Sequence, residues 1–383
     1  MPGKRWHPSQ ESDELVFAVC NRFLDQLGAQ YGHGPSGGTE GEKRGGAAAI
    51  AQWLREKHGR QDLTRERIYP LFWEAARRNF LLLQPPREYD FARKIAQRYG
   101  VTRFDEDPET IQVVNVRGSE ASGHVSSVGA DLLLSLIKRL GAKKQQQNAA
   151  DQSVHVGLGG GFTAMVVAKR LAERIYSDLS CPPLVLHALS GGGFLVDEPK
   201  KAPITYFTFF DDVLVDVKFV ALFSATVVPS GQYEQVISNP GVREPFERAG
   251  EIDIVVTSFA QAGHKHGLLN QYLRHLIEKR ELKPEDLERM KAAGWIGDVQ
   301  FRPYAAHGPI LEECPVKAVT LFELSDLAAR AQMEDKYVVL LAGPCGECAE
   351  TKTKALVPLL TEPKLRLWTH LVTDVQTASE LLH

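Results

Sequence analysis

Residues 154–171, whose sequence is VHVGLGGGFTAMVVAKRL, constrain the fold of this chain most. The valines are typical of a strand, Gly159 to Gly161 allow a sharp turn, and the apolar residues from Met165 onward have helical spacing. The pattern predicts a strand, a glycine turn and a helix capped by Thr163. Free amides at such a helix start attract anions, so the turn is either a phosphate site or only a tight connection. Neither the dinucleotide-binding fingerprint nor the ATP-binding loop is matched.

Composition limits the class of protein. The chain of 383 residues is long enough for two domains, and its 43% apolar content is that of a soluble globular protein. No stretch resembles a membrane span and the first residues lack an apolar signal region, so we expect a cytoplasmic protein. Five cysteines are too few and too scattered for a disulfide framework. Residues 1–100 hold 16 Lys/Arg against 12 Asp/Glu, which permits DNA binding without requiring it.

The first part of the chain has its own organisation. Residues 32–46 are glycine-rich and polar, which predicts a flexible insertion, and the Gln84-Pro-Pro-Arg87 segment predicts a hinge. We therefore expect a helical domain at 1–84 and a larger domain at 85–383. Helical patterns in the first domain cover residues 14–27, 47–57 and 64–80, and Pro70 is expected to kink the last helix or delay its start.

Beyond the hinge, apolar runs alternate with helical patterns. Helices are expected at 89–99 and 125–140, and strands at 113–116, 154–157, 184–189, 219–223, 253–257, 337–342 and 368–372. This alternation predicts the α/β class, with a mostly parallel sheet covered by helices.

A second glycine cluster, at residues 189–194, follows the predicted strand 184–189. Ligands of open α/β sheets bind at the carboxyl ends of the strands. Ser190, Gly191, Gly192 and Gly193 are therefore candidates for ligand contact, and the alternative is that the cluster is only a flexible connector.

The loop after strand 253–257 carries His264, Lys265 and His266. A histidine pair around a lysine could bind an anion, a metal ion or a substrate proton. No cysteine or carboxylate at a ligand-like spacing accompanies the pair, so the sequence disfavours a metal site, and a solvated loop is the alternative.

Two later segments supply further candidates. Asp298 follows an apolar turn, where its carboxylate could accept hydrogen bonds from sugar hydroxyls or only stabilise the turn. Cys345 and Cys348 form a Cys-x-x-Cys motif near a predicted helix start, but without a second cysteine pair the motif does not establish a redox or zinc site. Lys352, in the first turn of that helix, could reach an anion or be solvated.

In their order and spacing, these segments resemble the SorC-type bacterial transcriptional regulators, in which a helix-turn-helix domain precedes a DeoR-like sugar-binding domain. The similarity covers nearly the whole chain. It is carried by the segments Phe91–Gly100, Val156–Ala168, Leu189–Phe194, Asp253–Lys265, Ala293–Asp298, Val338–Gly343, Lys352, Ala355–Leu360 and Leu371–Asp374.

The resemblance implies a Rossmann-like sheet of the type found in sugar-phosphate isomerases and coenzyme A transferases. It also implies effector contacts. Residues Gly159, Gly160, Gly161, Phe162 and Thr163 would hold a phosphate. Asp298 would receive sugar hydroxyls, Lys352 would add a charged contact to the phosphate, and His264 and Lys265 would lie nearby.

The similarity of the N-terminal domain implies DNA binding through the helix at 64–80. Arg65 and Arg67 would face the major groove, and Thr64 or Arg77 a phosphate. The insertion at 32–46, the long connection at 56–62 and Pro70 depart from the family pattern. A relic helical domain that serves only packing or dimerisation is the alternative.

The favoured hypothesis is a symmetric oligomer that binds a phosphorylated sugar and thereby changes its hold on two DNA half-sites, without catalytic residues, cofactor or metal. The alternatives are a sugar-phosphate isomerase or deaminase and a sensor that has lost DNA binding. Gly263-His264 occupies the place of an Asp-Gly-His motif in related deaminases, but Ala262 replaces the aspartate.

Overall fold

The computed structural model describes residues 6–30, 46–78, 80–81, 84–176, 178–192, 199–312 and 314–383. The expected insertion at 32–46 lies outside these residues except for Gly46. The chain divides into two compact units, Met1–Gln84 and Pro85–His383.

Three helices form the N-terminal unit: α1 Asp13–Gln30, α2 Ala47–His58 and α3 Arg65–Arg77. Their apolar faces meet in a separate core that includes Val16, Val19, Ile50, Leu54 and Leu71, each fully or almost fully buried. The third helix begins directly after Thr64 and continues through Pro70, so the proline does not delay its start.

A buried ion cluster stabilises this unit. The Glu74 carboxylate is 4% exposed and accepts hydrogen bonds from Arg77 and Arg78, and the bond from Arg77 is the main reason that its pKa falls to about 2. Arg78 also donates to Asp13 and to backbone carbonyls of the segment before α1. The start of the unit is thereby attached to the end of α3.

The C-terminal unit contains twelve strands in its described part: β1 Ile111–Val114, β2 Val154–Leu158, β3 Leu184–Ala188, β4 Val217–Val220, β5 Val227–Pro229, β6 Ile254–Gln261, β7 Gly297–Val299, β8 Arg302–Ala305, β9 Gly308–Pro309, β10 Val316–Ala318, β11 Tyr337–Ala342 and β12 His370–Asp374. Seven of them pair in parallel in the order β1-β12-β11-β6-β2-β3-β4. The α/β class with a mostly parallel sheet is confirmed. Strand β4 begins two residues earlier than expected.

Helices connect and cover these strands: α4 Tyr89–Tyr99, α5 Arg103–Glu106, α6 Ala121–Gln146, α7 Phe162–Ile175, α8 Tyr233–Ile237, α9 Arg243–Glu247, α10 Leu268–Glu278, α11 Pro284–Ala292, α12 Leu324–Arg330, α13 Thr353–Thr361 and α14 Val375–Leu382. The residues of β2, β3, β11 and β12 are all buried, as expected for parallel strands with helices on both faces. Among the described residues, no helix combines the length and apolarity needed to cross a bilayer.

A second, antiparallel element extends the sheet. Strand β6 runs to Gln261, beyond the expected end at residue 257, because Phe259 to Gln261 pair with β7, which continues through β8 to β9. Strands β5 and β10 form a separate antiparallel pair. These five strands are missing from the sequence analysis.

The amino end of β6 is fixed by charge. The Asp253 carboxylate, just before the strand, accepts hydrogen bonds from Lys144 at 2.7 Å, Lys336 at 2.9 Å and the His155 amide at 3.0 Å. The carboxylate is almost completely buried, so two ammonium groups offset the cost of removing it from water.

The second glycine loop packs directly on neighbouring backbone. A Cβ at Gly191 would lie 2.6 Å from the carbonyl oxygens of both Ser224 and Ala225. The Gly191 amide donates to the Val319 carbonyl, and its carbonyl accepts from the Thr226 hydroxyl. The close approach itself therefore requires glycine at this position.

We expect Gly191→Ala to lower the free energy of unfolding by about 1–3 kcal/mol, since the added methyl group meets backbone that cannot easily move. Gly123→Ala is the matched control. Gly123 lies in α6 with nothing within 4 Å of its Cβ position, and this change should stabilise the protein by about 0.5 kcal/mol. Urea unfolding of both variants measures the two effects, and equal stability would contradict the packing described here.

Candidate functional site

A cavity of about 320 Å³ lies beyond the carboxyl ends of β2, β6 and β11. Strands β2 and β6 are neighbours, but the chain continues from β2 toward β3 and β4 at one edge of the sheet and from β6 toward β11 and β12 at the other edge. Such a reversal of strand order opens a crevice, and open α/β sheets bind ligands there. The cavity therefore lies at the position where the topology of the sheet favours a ligand site.

The first glycine loop contributes only some of its expected groups. The Gly159 amide donates to the Val256 carbonyl and the Gly161 amide to the Lys201 carbonyl, both at 2.9 Å. Within the described part of the chain, the amides of Gly160, Phe162 and Thr163 donate to no protein group. These three residues and Gly161 line the cavity, whereas Gly159 lies behind it.

The prediction that Thr163 caps α7 is wrong. The helix begins at Phe162 with Gly161 as its N-cap at φ 108°, and no side chain caps it. Thr163 is already in the first turn of the helix and lines the cavity. The helix start keeps unpaired amides that a side-chain cap would otherwise satisfy.

A strained hairpin turn brings Gln300 into the cavity. Gln300 and Phe301 join β7 to β8 with φ angles of 51° and 63°, a left-handed conformation that glycine or asparagine normally adopts in such turns. Gln300 is 7% exposed, and among the described residues neither its Oε1 nor its Nε2 atom has a hydrogen-bond partner. Strain and an unpaired buried amide together indicate a side chain held for a ligand. Gln300 was not among the residues predicted from the sequence.

Asp298 and Lys352 also line the cavity, as opposite charges in a poorly solvated space. Asp298 is 6% exposed, and burial raises the pKa of its carboxyl to about 7 against the opposing effect of Lys352. Burial lowers the pKa of the Lys352 ammonium, which donates to the Phe259 carbonyl at 3.2 Å. A proton can therefore be exchanged at Asp298 near neutral pH.

Two loops that are distant in the sequence meet at the rim of the cavity. His266 Nδ1 lies 3.1 Å from Cys345 Sγ, and His264 Nε2 lies 3.3 Å from Cys348 Sγ. The ligand atoms of all four side chains lie within 4.8 Å of one another. No cysteine lies near the histidine pair in the sequence, but the fold brings Cys345 and Cys348 to it from the loop after β11.

Carboxylates also approach these histidines. The Glu350 carboxylate lies 3.3 Å from His264 Nε2, and the Glu347 carboxylate 3.3 Å from His266 Nε2. Burial opposes ionisation of Cys345, but hydrogen bonds from His266 and from two backbone amides lower the pKa of this thiol overall. The rim is thus polar and rich in ligand atoms.

Of the remaining expected effector residues, the four that the structure describes, Ser190, Gly191, Gly192 and Lys265, do not line the cavity. Ser190 and Gly191 lie in the packed second glycine loop, and Gly192 has the Ala202 methyl group 2.6 Å from its Cβ position. Lys265 is exposed, and Gly193 lies outside the described residues. The structure instead adds cations that the sequence analysis did not consider, Lys200 and Lys201.

In the N-terminal unit, the four residues expected at DNA differ in their surroundings. Thr64 and Arg65 are exposed at the start of α3. Arg67 donates to the Asp62 carbonyl and lies over the Trp6 ring at 4.7 Å, and Arg77 pairs with Glu74. Two of the four side chains are therefore engaged within the unit.

No family model and no curated protein matches this sequence. Solved structures do. The full-length sorbitol operon regulator SorC from Klebsiella pneumoniae matches with 14% identity and a TM-score of 0.56, over 97% of this chain and 100% of that one. A probable sor operon regulator from Shigella flexneri matches with 15% identity and a TM-score of 0.54, over 76% and 98% of the two chains. A DeoR family transcriptional regulator from Listeria monocytogenes matches with 15% identity and a TM-score of 0.52, over 76% of this chain and 98% of that one.

The fold is that of the SorC and DeoR regulators. The expected Rossmann-like sheet preceded by a small helical domain is confirmed at this level, since the match to SorC extends over both units.

Asp298→Asn should change how stability depends on pH. The native pKa of about 7 lies above the value of about 3.9 for an unfolded aspartate. The parent protein therefore holds an extra proton between these values when folded, and it loses stability as the pH rises through that window. Asparagine does not titrate, so the variant should gain about 2 kcal/mol relative to the parent between about pH 5 and pH 7 in urea unfolding. If the difference in free energy of unfolding between the variant and the parent is the same at every pH, the raised pKa of this buried carboxyl is contradicted.

Proposed function

We propose that this chain is a transcriptional regulator that binds a phosphorylated sugar in its C-terminal unit and double-stranded DNA through its N-terminal unit. The observation that carries the proposal is the convergence on one cavity of the unpaired amides at the start of α7, the Lys352 ammonium and the buried amide of Gln300. The regulator part of the proposal is supported by the fold shared with SorC.

The cavity suits an anionic group. The amides of Gly160, Phe162 and Thr163 lie at the positive end of the α7 dipole, where phosphate is commonly bound. Lys200 and Lys352 add positive charge to the same lining. In a partly enclosed space the attraction is screened less than at the open surface, so a doubly charged phosphate gains most.

Two further residues of the lining suit hydroxyl groups. The Gln300 amide offers two donors and an acceptor, and the Asp298 carboxyl can donate or accept according to its protonation. A sugar presents both donors and acceptors to such groups. The volume of about 320 Å³ is at the small end of the range for ligand pockets, which favours a single sugar phosphate over a dinucleotide.

In this proposal the ligand is bound and not converted, and it acts by favouring one arrangement of a symmetric oligomer whose N-terminal units contact two DNA half-sites.

One observation gives the isomerase or deaminase alternative a specific basis. Ala262 stands where those enzymes carry an aspartate, but the Glu350 carboxylate lies close to His264 and could assist proton transfer. Proton NMR of the protein with each sugar phosphate distinguishes the two, since the regulator forms no product.

The effector site is tested by the melting temperature of the full chain with a panel of sugar phosphates. A bound ligand should raise the melting temperature, because it stabilises only the folded state. Lys352→Met should weaken that ligand at least about tenfold through the loss of a charge-assisted contact, and Gln300→Gly should weaken it while leaving the unbound protein equally or more stable. Lys354→Met, at an exposed lysine of the same helix, should keep full affinity.

Stabilisation by nucleotides but by no sugar phosphate would contradict the effector class. Equal affinity of the Lys352→Met and Lys354→Met variants would contradict the placement of the ligand in the cavity, even if a sugar phosphate binds.

DNA binding is tested with Arg65→Ala on a promoter fragment from the neighbouring operon. Arg65 is exposed at the start of α3, so its loss should lower the affinity for DNA about tenfold or more. It should also reduce the slope of log affinity against log salt concentration by about one. Arg55→Ala removes the same charge from an exposed position on α2 and should have a smaller effect. Weak binding that is the same for the parent and both variants would favour a sensor without DNA binding.

A further inference from the structure

The cluster of His264, His266, Cys345 and Cys348 has the composition of a metal centre. The histidines lie in the loop between β6 and α10, and the cysteines lie between β11 and α13. Two imidazoles and two thiols form a donor set that proteins commonly use for Zn²⁺. The two pairs come from separate loops, so the sequence spacing alone does not display the set.

The distances suit a tetrahedral ion. Bonds of about 2.0–2.3 Å place neighbouring ligand atoms of a tetrahedral zinc about 3.3–3.8 Å apart. The two histidine–cysteine contacts are 3.1 and 3.3 Å, and no pair among the four ligand atoms exceeds 4.8 Å. Small side-chain movements are enough to surround an ion, with no change in the course of the backbone.

The turn that carries the two cysteines is held by its own backbone. The turn is closed by hydrogen bonds between Cys345 and residues 349 and 350, and Ala349 adopts a φ of 58° to complete it. Both cysteines therefore lie within one closed turn, which sets their spacing.

Outer groups complete the arrangement. With Nδ1 of His266 toward Cys345, the Glu347 carboxylate lies at its Nε2 atom, the pairing that orients metal-bound histidines. Coordination of His264 through Nε2 places the ring proton on Nδ1, so His264 would give up the 3.2 Å contact that it accepts from the His266 amide. One weak backbone contact is thereby exchanged for a metal bond.

We propose that His264, His266, Cys345 and Cys348 bind one Zn²⁺ ion per chain. The four protein ligands fill a tetrahedral shell, so the ion is structural and leaves no open position for a reacting water. It joins the loop after β6 to the loop after β11 at the rim of the cavity. If the proposed function is correct, the ion also holds the effector site in its binding shape.

The test uses the full chain, purified with and without added Zn²⁺. Elemental analysis should find one zinc per chain, and Co²⁺ in its place should give the intense visible absorption of a tetrahedral site with a thiolate-to-cobalt band. Cys345→Ser and Cys348→Ser should each lower zinc affinity more than about 100-fold, beyond the 10–100-fold effect of an outer group such as Glu347→Gln. Cys181→Ala and His275→Ala, which alter residues outside the cluster, should keep the parent stoichiometry and spectrum.

Substoichiometric zinc after metal addition, or a weak octahedral cobalt spectrum, would overturn the proposal. So would a reduced protein that binds no zinc and forms a Cys345–Cys348 disulfide on oxidation. These readouts require no effector, so their outcome is independent of the sugar-phosphate panel. If both succeed, chelation should lower effector affinity in the parent.

Discussion

The parallel pairing of β2 with β6 is the contact on which the C-terminal unit depends. It places two connections side by side that leave the sheet in opposite directions, and the hydrogen bond from Gly159 to Val256 extends the pairing past the end of β2. The glycine turn is therefore held by the sheet, and the first amides of α7 have no acceptor in the described part of the chain. Without this pairing there would be neither a floor for the cavity nor a fixed direction for its donors.

The cavity holds polar groups at an energetic cost that the unbound protein does not recover. Burying an unpaired amide such as that of Gln300 costs about 1–3 kcal/mol, and each left-handed residue of its turn costs a similar amount. The large core of the unit, which includes β6, β11 and β12, can sustain this cost. A ligand that satisfies these groups would return part of it as binding free energy, so preorganisation for a ligand accounts for an otherwise unfavourable arrangement.

Much of the fold could be predicted from the sequence, because buried parallel strands are continuous apolar runs and their helices have clear periodicity. Residues 337–342 were predicted to the residue. Strands β7, β8 and β9 could not be predicted, since segments of two to four residues carry no period. Gln300 was not predicted, because it enters the cavity through a turn conformation that the sequence does not display. The proximity of the cysteines to His264 was not predicted either, because only the fold brings the two loops together.

The two ends of β6 differ in how they are restrained. At the amino end, Asp253 is locked between Lys144 and Lys336, whereas the carboxyl end continues into the β7–β9 ribbon that carries Asp298 and Gln300. The strand is therefore fixed by ion pairs at one end and paired with the ribbon at the other. Because the ribbon pairs with β6, the lysines that hold Asp253 help to set the position of Asp298 and Gln300 in the crevice.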